Sequence, residues 1–359
     1  MDSEEVIIIG AGICGLATAV ALHKNGIKTL VLERSENLRN DTGTAIGILQ
    51  NGWRALDQLG VADALRRTAV PILRDRMVSL DGSKQQVMSM KGESRSLKRK
   101  DLLDTLYAAL PPATVKFGCE LESIKLDPNT SKPVLQFIDG TSIIAKAVIG
   151  CDGGKSIVAE FLNLKPTKIY PLRSARGLSN YPNGHSFDYE LCRFTNNNNL
   201  VGRIPIDDKL VYWFCPQSNL PGDERIWEDP ELIRRSTLKS LSDYPQEIKE
   251  MIEIADANSL SFTHLRYRAP WDLRRGTFCK NRVTVAGDAL HIMGPFLGQG
   301  GSAGLEDAVV IATNLGRVDV PYWYGIGNFF VCKEVYMYCV LFLLFRDPSV
   351  HVDYDCGRL

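Results

Sequence analysis

Hydrophobic and polar positions alternate differently in different stretches of the chain, and the changes divide it. Val6-Ile7-Ile8-Ile9 is a short apolar run rich in β-branched residues, the composition of a strand covered on both faces of a parallel sheet. Ile13 to Asn25 follows with Leu16, Ala19, Val20 and His23 near helical spacing, and Thr29 to Leu32 is a second buried run. The stretch Gly43-Thr-Ala-Ile-Gly-Ile-Leu leads to a predicted helix over Trp53 to Leu59. From 76 to 95 apolar and polar residues alternate between turn residues, as in an excursion into a second lobe. A helix is predicted from Arg99 through Leu102, Leu103 and Leu106, then a meander over Glu120–Leu126, Val134–Ile138 and Ser142–Ala145. Between about Thr167 and Thr263, strand-like runs such as Leu210-Val-Tyr-Trp-Phe-Cys215 alternate with polar loops, including Asn196 to Asn199. Helices are predicted over Pro230–Leu241 and Pro245–Ala255, Phe262 to Arg268 leads back to the first lobe, and Arg282 to Ala286 is another buried strand. No internal repeat is present.

This order gives an α/β fold: a Rossmann-like dinucleotide-binding domain carrying an inserted antiparallel-sheet substrate domain. The first domain is discontinuous, over residues 1–75, 96–165 and 264–317; the second takes 76–95 and 166–263; residues 318–359 form an atypical tail.

Glycines mark the site. Between the first two strands stands Gly10-Ala-Gly12-Ile13-Cys14-Gly15. Gly10 permits the tight turn, Gly12 lets a pyrophosphate approach the backbone at a helix N-terminus, and Gly15 allows close helix–strand packing. Glu33 ends the second strand, where an acid can accept hydrogen bonds from an adenosine ribose. Up to here NAD and FAD are not distinguished. The second signature distinguishes them: Arg282-Val-Thr-Val-Ala-Gly287-Asp288, followed by Pro295 and Gly298-Gln299-Gly300-Gly301. A carboxylate at the C-terminal end of a strand can bind the polyol of a ribityl chain, which NAD lacks. Gly298 to Gly301 reads as a loop exposing backbone N–H groups. Leu305-Glu306-Asp307-Ala308 reads as the start of a helix whose positive end suits an electron-rich flavin ring.

On these motifs the chain resembles the single-component FAD-dependent aromatic hydroxylases typified by p-hydroxybenzoate hydroxylase. Within them it is most similar to the plant salicylate-hydroxylase-like and zeaxanthin-epoxidase-like monooxygenases, from about Glu5 to Leu315. A third hallmark of that family, an Asp-Gly motif, matches Val148-Ile-Gly-Cys-Asp152-Gly153-Gly-Lys-Ser-Ile-Val158. The resemblance implies that Asp152 serves both FAD and NAD(P)H. Asp81-Gly82 and Asp139-Gly140 lie between strand-like runs and read instead as hairpin turns. Arg99 matches the family's arginine near the cofactor, or is one member of the basic run Lys98-Arg99-Lys100. Many relatives carry Asn where this chain has Ser302. The implied cofactor set is Gly10, Gly12, Ile13, Cys14, Gly15, Glu33, Arg34, Arg99, Asp152, Gly153, Gly287, Asp288, Gly301 and Ser302, with Pro295, Gly298, Gln299 and Gly300 lining the reacting face. His291 is read as a positioning residue rather than a general base.

The implied activity is hydroxylation or epoxidation of a small aromatic or unsaturated substrate with NAD(P)H and O2, through a flavin hydroperoxide. The alternative is a flavin-binding but catalytically impaired form that acts by binding only.

Composition fits a soluble enzyme. Lysines and arginines number 42, as do aspartates and glutamates, so no field favours nucleic acid. Nine scattered cysteines without CxxC or His-bearing spacing imply reduced cytoplasmic thiols and no metal site, and Cys14 is read as a packing residue. The first strand begins almost at Met1, so no signal or transit peptide is expected. The tail is the departure. Val320 to Phe345 is crowded with aromatic and aliphatic residues without amphipathic spacing. Lys333 and Glu334 divide it into runs shorter than the roughly 20 residues a spanning helix needs, so a replaced or truncated C-terminus is favoured over a membrane anchor.

Overall fold

The strand that precedes the first glycines lies in the middle of a six-stranded sheet. Its order is Cys279–Lys280, Val283–Val285, Ala147–Gly150, Val6–Ile9, Thr29–Leu32 and Val115–Lys116. All neighbours are parallel except the outermost pair, Cys279–Lys280 with Val283–Val285. The computed structural model describes residues 6–38, 45–196, 199–218 and 229–315; the expected tail, 318–359, lies outside them.

Both faces of this sheet are covered, which is why its strands read as continuous apolar runs. Ile8, Val31 and Ile149 pack beneath helix Ile13–Lys24 and helix Gly300–Leu315. Ile7, Val148 and Val283 pack on the other side against the meander Leu121–Leu126, Pro133–Phe137 and Ser142–Ile144 and the short helix Ile157–Phe161. In helix Ile13–Lys24 every residue from Gly15 to Leu22 is buried, so no polar stripe survives to give it amphipathic spacing. The two Asp-Gly pairs read as turns are turns, with Gly82 at φ +75° and Gly140 at φ +81°.

The second lobe holds a seven-stranded sheet, ordered Ser261–Tyr267, Lys168–Asn180, Leu210–Ser218, Asn199–Pro205, Glu190–Asn196, Arg74–Ser79 and Gln85–Ser89. It is antiparallel apart from one pairing: Glu190–Asn196 runs parallel to Arg74–Ser79, the hairpin strand contributed from the earlier part of the chain. Ser261–Tyr267, expected to begin the return to the first lobe, is an edge strand of this sheet and spans the boundary expected near 263. Helices Pro230–Ser240 and Gln246–Glu253 cover one face, over Val201, Val211, Trp213 and Cys215. Asp229 starts the first of them, its side chain accepting from Glu231 N–H, with proline at the first helical position.

A small sheet of Ala45–Ile48, Arg95–Lys98 and Val70–Pro71 joins the lobes. Ser96 Oγ donates to the Pro205 carbonyl at 2.6 Å, and Lys98 Nζ lies 3.6 Å from Asp207. Among the described residues no helix is long and apolar enough to cross a membrane.

Candidate cofactor site

The three glycine-and-acid signatures occupy the C-terminal ends of three adjacent parallel strands. Gly10 N–H donates to the Leu32 carbonyl, Cys151 N–H to Ile9 and Ala286 N–H to Gly150, so the chain leaves Val6–Ile9, Ala147–Gly150 and Val283–Val285 on one edge of the sheet. In an open α/β sheet that edge is where a ligand binds.

The fingerprint glycines serve different purposes. Gly10 has φ +99°, and a Cβ on it would lie 2.6 Å from the Cys151 carbonyl oxygen. A Cβ on Gly15 would lie 1.9 Å from the Gly10 carbonyl oxygen. Both are required by the protein's own packing. A Cβ on Gly12 would meet no atom within 4 Å. Gly12 starts helix Ile13–Lys24, whose first turn contains no acid and receives no side-chain cap, so its N–H groups face the open side undischarged. That cradle fits a pyrophosphate. Glu33 is buried, and its two oxygens accept from Ala11 N–H at 2.8 Å and Ser35 N–H at 3.0 Å. It therefore holds the fingerprint loop to the end of the second strand, while lone pairs remain for a ribose. Arg34, beside it, is exposed.

Cys14 lies where the signatures touch. A Cβ on Gly287 would come 2.8 Å from Cys14 Cβ, and Cys14 Sγ is 3.8 Å from Cys151 Sγ. The hydrogen bond with Cys151 and burial push the Cys14 thiol well up, which keeps it protonated and unreactive.

Asp152 follows the strand Ala147–Gly150. One oxygen accepts from Val158 N–H at 3.3 Å; the other, Oδ1, is buried with no hydrogen-bond partner among the described residues. Burial pushes this carboxyl up, against hydrogen bonds from Ser156 and the following backbone. An orphaned buried oxygen at the ligand-binding edge fits a group supplied from outside the chain. Gly153, next to it, has φ +80° and open space where a side chain would be.

Gly287, at φ +58°, turns the chain so that Asp288 opens the short helix Asp288–His291. Asp288 is exposed to solvent, but the protein around it partly desolvates its carboxyl. That desolvation raises its carboxyl, and the positive charges of His291 and Arg99 oppose the rise. The structure thus brings Arg99, at the start of helix Arg99–Ala108, into the field of Asp288.

The helix expected from Leu305 starts five residues earlier, at Gly300, so the second half of the expected loop is its first turn. The first backbone bond back along this helix is Ala303 N–H to the Gln299 carbonyl, leaving the N–H groups of Gly300, Gly301 and Ser302 at its positive end. Pro295 begins a single tight turn closed by Gly298 at φ +64°. Ser302 is fully buried, and its Oγ accepts from Leu49 N–H at 3.1 Å, tying this helix to the loop before helix Gln50–Leu59. Gln299 is buried and receives a hydrogen bond from Asn51, which also donates to Glu306 at 2.7 Å.

Asp307 has a larger part than its place in the sequence suggested. Its Oδ2 accepts from Gly287 N–H at 2.7 Å and lies 2.7 Å from His291 Nε2, with both residues buried. Burial works against a charge on His291, but Asp307, its hydrogen bond and Asp288 outweigh it and raise the imidazole above its ordinary value. Asp307 and Asn51 were not among the expected site residues. Their local pattern is that of any helix, and only the fold brings Asp307 beneath the Gly-Asp turn and Asn51 against Gln299 and Glu306.

A cavity of about 650 Å³ lies in the second lobe, lined by Arg76, Tyr181, His185, Phe187, Arg203 and Glu247 among others, and none of the expected cofactor residues line it. No cluster of metal-ligating side chains occurs among the described residues.

Residues 3–319 match the model of the FAD binding domain family. The chain is 46% identical to Monooxygenase 1 of Arabidopsis thaliana, with all of both chains covered. It is 37% identical to Monooxygenase 2 of the same plant, over 88% of this chain and 77% of that one. Among solved structures, HpxO of Klebsiella pneumoniae complexed with FAD and uric acid superposes with a TM-score of 0.74 at 23% identity, covering 87% of this chain and 80% of that one. A putative FAD-containing monooxygenase from Photorhabdus luminescens superposes at 0.78 and 20% identity, over 96% and 97%. Both likenesses bear on the fold alone. With the matched family spanning the three signatures and the relatives extending over the second lobe, the chain belongs to the FAD binding domain family and is a flavoprotein monooxygenase.

Proposed function

We propose that the chain uses NAD(P)H and O2 to place one oxygen atom on a small aromatic or unsaturated substrate, the other leaving as water. The balance is substrate, O2, NAD(P)H and a proton giving oxygenated substrate, NAD(P)+ and water. The observation that carries the proposal is the convergence of three signatures on one sheet edge, with an open cradle at Gly12 and an unpartnered oxygen on Asp152. FAD, when bound, supplies the redox and oxygen-transfer chemistry.

The residues do the rest. Gly12 and the first turn of helix Ile13–Lys24 hold the pyrophosphate, and Glu33 orients the adenosine ribose. Asp288 holds the ribityl hydroxyls, steadied by Arg99 and by Asp307 through Gly287. The amides of Gly300, Gly301 and Ser302 offer donors to negative charge developing on the ring. Asp152 orients the reductant against the same cofactor. Pro295 and Gly298 line the reacting side and help exclude water. The relatives named FAD-dependent urate hydroxylase and HpxO with uric acid are consistent with a small planar substrate. The described residues keep every part of the cofactor cradle, which favours catalysis over binding alone.

The test is the purified full chain. It should carry flavin absorbance, oxidise NAD(P)H faster when a suitable aromatic is added, and transfer one labelled atom from 18O2 to the product. Flavin-free protein that binds NAD tightly would refute the proposal.

A further inference from the structure

The helices of the second lobe cover only part of the sheet face they lie on. Trp213 points into the core beneath them. Across the strands Trp213 pairs with Arg203, Arg203 with Cys192, and Cys192 with Arg76, so these side chains share its side of the sheet. At these outer strands the wall is different. The cavity of about 650 Å³ is bounded there by the strands, by Tyr181, His185 and Phe187, and by Glu247 in the first turn of helix Gln246–Glu253. Small-molecule pockets are typically about 300–1,000 Å³. The cavity thus has the size of one, on the helix-bearing face, and shares no residue with the cofactor edge.

Two arginines line it, and they differ. Arg76 grips Glu190 with two hydrogen bonds, at 2.7 and 3.2 Å, and is neutralised. Arg203 is held less completely. Its guanidinium lies over the Phe187 ring, 3.8 Å from the centre, and 5.3 Å from the centre of Phe194. Among the described residues only its Nη1 makes a hydrogen bond, to Glu247 at 2.6 Å. The Arg203 side chain is 14% exposed and that of Glu247 61%. A largely desolvated guanidinium is therefore left with its Nε and Nη2 donors unmet, tethered to a carboxylate that water reaches. A planar fork forms strong charge-assisted bonds where water is scarce, whereas an ion pair to an exposed acid is weak, so the arrangement favours a second anion. Rings supply the rest of the wall. Tyr181 meets His185 and Phe187 edge-on, with ring centres 5.9 and 5.5 Å apart. Burial pushes the Tyr181 hydroxyl up to about 12, so it stays protonated and can donate.

We propose that this cavity is a second ligand site, outside the cofactor edge, that takes an aromatic carboxylate. The carboxylate is held by the Nε and Nη2 donors of Arg203, and the ring lies among Tyr181, Phe187 and Phe194. Glu247 is the internal rival, the negative charge that the ligand meets at the same guanidinium. The site goes beyond the monooxygenase reading and does not rest on it. The FAD-loaded full chain is titrated by calorimetry with benzoate, 2-naphthoate and indole-3-carboxylate and with their methyl esters, while flavin absorbance is recorded. Binding in the cavity should leave the flavin spectrum unchanged, which separates it from binding beside the ring. At least one acid should bind in this silent way, at least about tenfold more tightly than its ester. Arg203→Gln should weaken that binding about 10- to 100-fold and leave flavin content unchanged. Glu247→Gln should strengthen it about two- to fivefold, because the rival charge is gone. A pair that only braces the fold would give no such gain. Glu247 lies on the surface, so this variant locates the site even if Arg203→Gln fails to fold. No silent binding of any acid, equal binding of acids and esters, full acid affinity in Arg203→Gln, or no gain in Glu247→Gln would overturn the proposal. Silent acid binding by a chain that does not oxidise NAD(P)H would count against the monooxygenase reading and leave this site standing.

Discussion

Replacing Asp307 by Ala removes the one carboxylate oxygen that holds both Gly287 N–H and His291 Nε2, each at 2.7 Å. Two buried donors then lose their acceptor, and one of them belongs to an imidazole raised above its usual value. Breaking a buried charged pair by deleting one partner costs about 3–5 kcal/mol. The orphaned Gly287 amide adds about 1–3 kcal/mol if no water reaches it. Against a total stability of about 5–15 kcal/mol this is a large fraction. Urea or thermal unfolding of the flavin-free protein measures it, and the midpoint should fall by about 5–10 °C. The pH dependence gives a second check. His291 gains affinity for its proton on folding, so the stability it contributes is full below its unfolded value near 6.5 and is lost as pH rises through its higher folded value. The gap between wild type and variant should thus be widest near pH 6 and narrow as pH climbs, without closing, because neutral imidazole still donates to the carboxylate. Flavin retention should fall with stability, since Gly287 carries Asp288. A variant with wild-type melting and full flavin content at pH 6 would refute this account of the turn.

Gly12→Ala should fold with near-normal stability yet lose most FAD, because its Cβ meets open space in the protein but stands in the path of the pyrophosphate, whereas Gly15→Ala should unfold or fail to express, because its Cβ would strike the Gly10 carbonyl at 1.9 Å. Circular dichroism and flavin content together separate the two, and equal behaviour would remove the distinction. Glu33→Ala should raise the FAD dissociation constant about 10- to 100-fold, measured on the apoprotein, by freeing the Ala11 amide and losing the ribose contact; an unchanged constant would end that role. Asp152→Asn should slow flavin reduction by NAD(P)H in stopped flow more than it weakens FAD. The Asp152 carboxyl is raised by burial, so ionising it costs stability as pH rises from its usual 3.8 through its folded value, and the flavin-free Asn variant should be at least as stable as wild type at neutral pH.

Much of this was readable in the chain because each feature was local. Val6–Ile9, Thr29–Leu32 and Ala147–Gly150 are apolar on both faces, and a strand with two buried faces has no other pattern. Burial alternates along Leu210–Ser218, but Leu210 to Cys215 is apolar throughout, so the residues alone did not show that helices cover one face of it. The start of helix Gly300–Leu315 was misplaced because Gly300, Gly301 and Ser302 look like loop residues. Here tertiary packing overrides propensity: a Cβ on Gly301 would lie 2.5 Å from the Ile46 side chain, and Ser302 is locked to Leu49. Ser261–Tyr267 was misread as a connector because an edge strand whose partner lies some 90 residues earlier carries no local sign of its pairing. Asp307 escaped for the same reason, its two partners being 20 and 16 residues away in another element.

What holds the cofactor edge together is contact between the signatures rather than any one of them. Gly10 lies against Cys151, Gly15 against Gly10, and Gly287 and Gly304 against Cys14, each pair so close that an added Cβ would fall 3.3 Å or less from its neighbour. Helix Ile13–Lys24, the Asp-Gly turn and the Gly-Asp turn can therefore approach one another only as backbone or small side chains. Cys14 and Cys151 fill the remaining space with their sulfurs 3.8 Å apart, the Cys14 thiol kept protonated by that contact and by burial. Such packing has no slack, since an interior at crystal density feels even one added methylene. A larger side chain at Cys14 should accordingly displace Gly287 and Gly304 together, and with them the Asp288 carboxylate and the first turn of the helix from Gly300. The proposed pyrophosphate cradle at Gly12 and the proposed ribityl acid Asp288, though far apart in the chain, should then fail or survive as one unit.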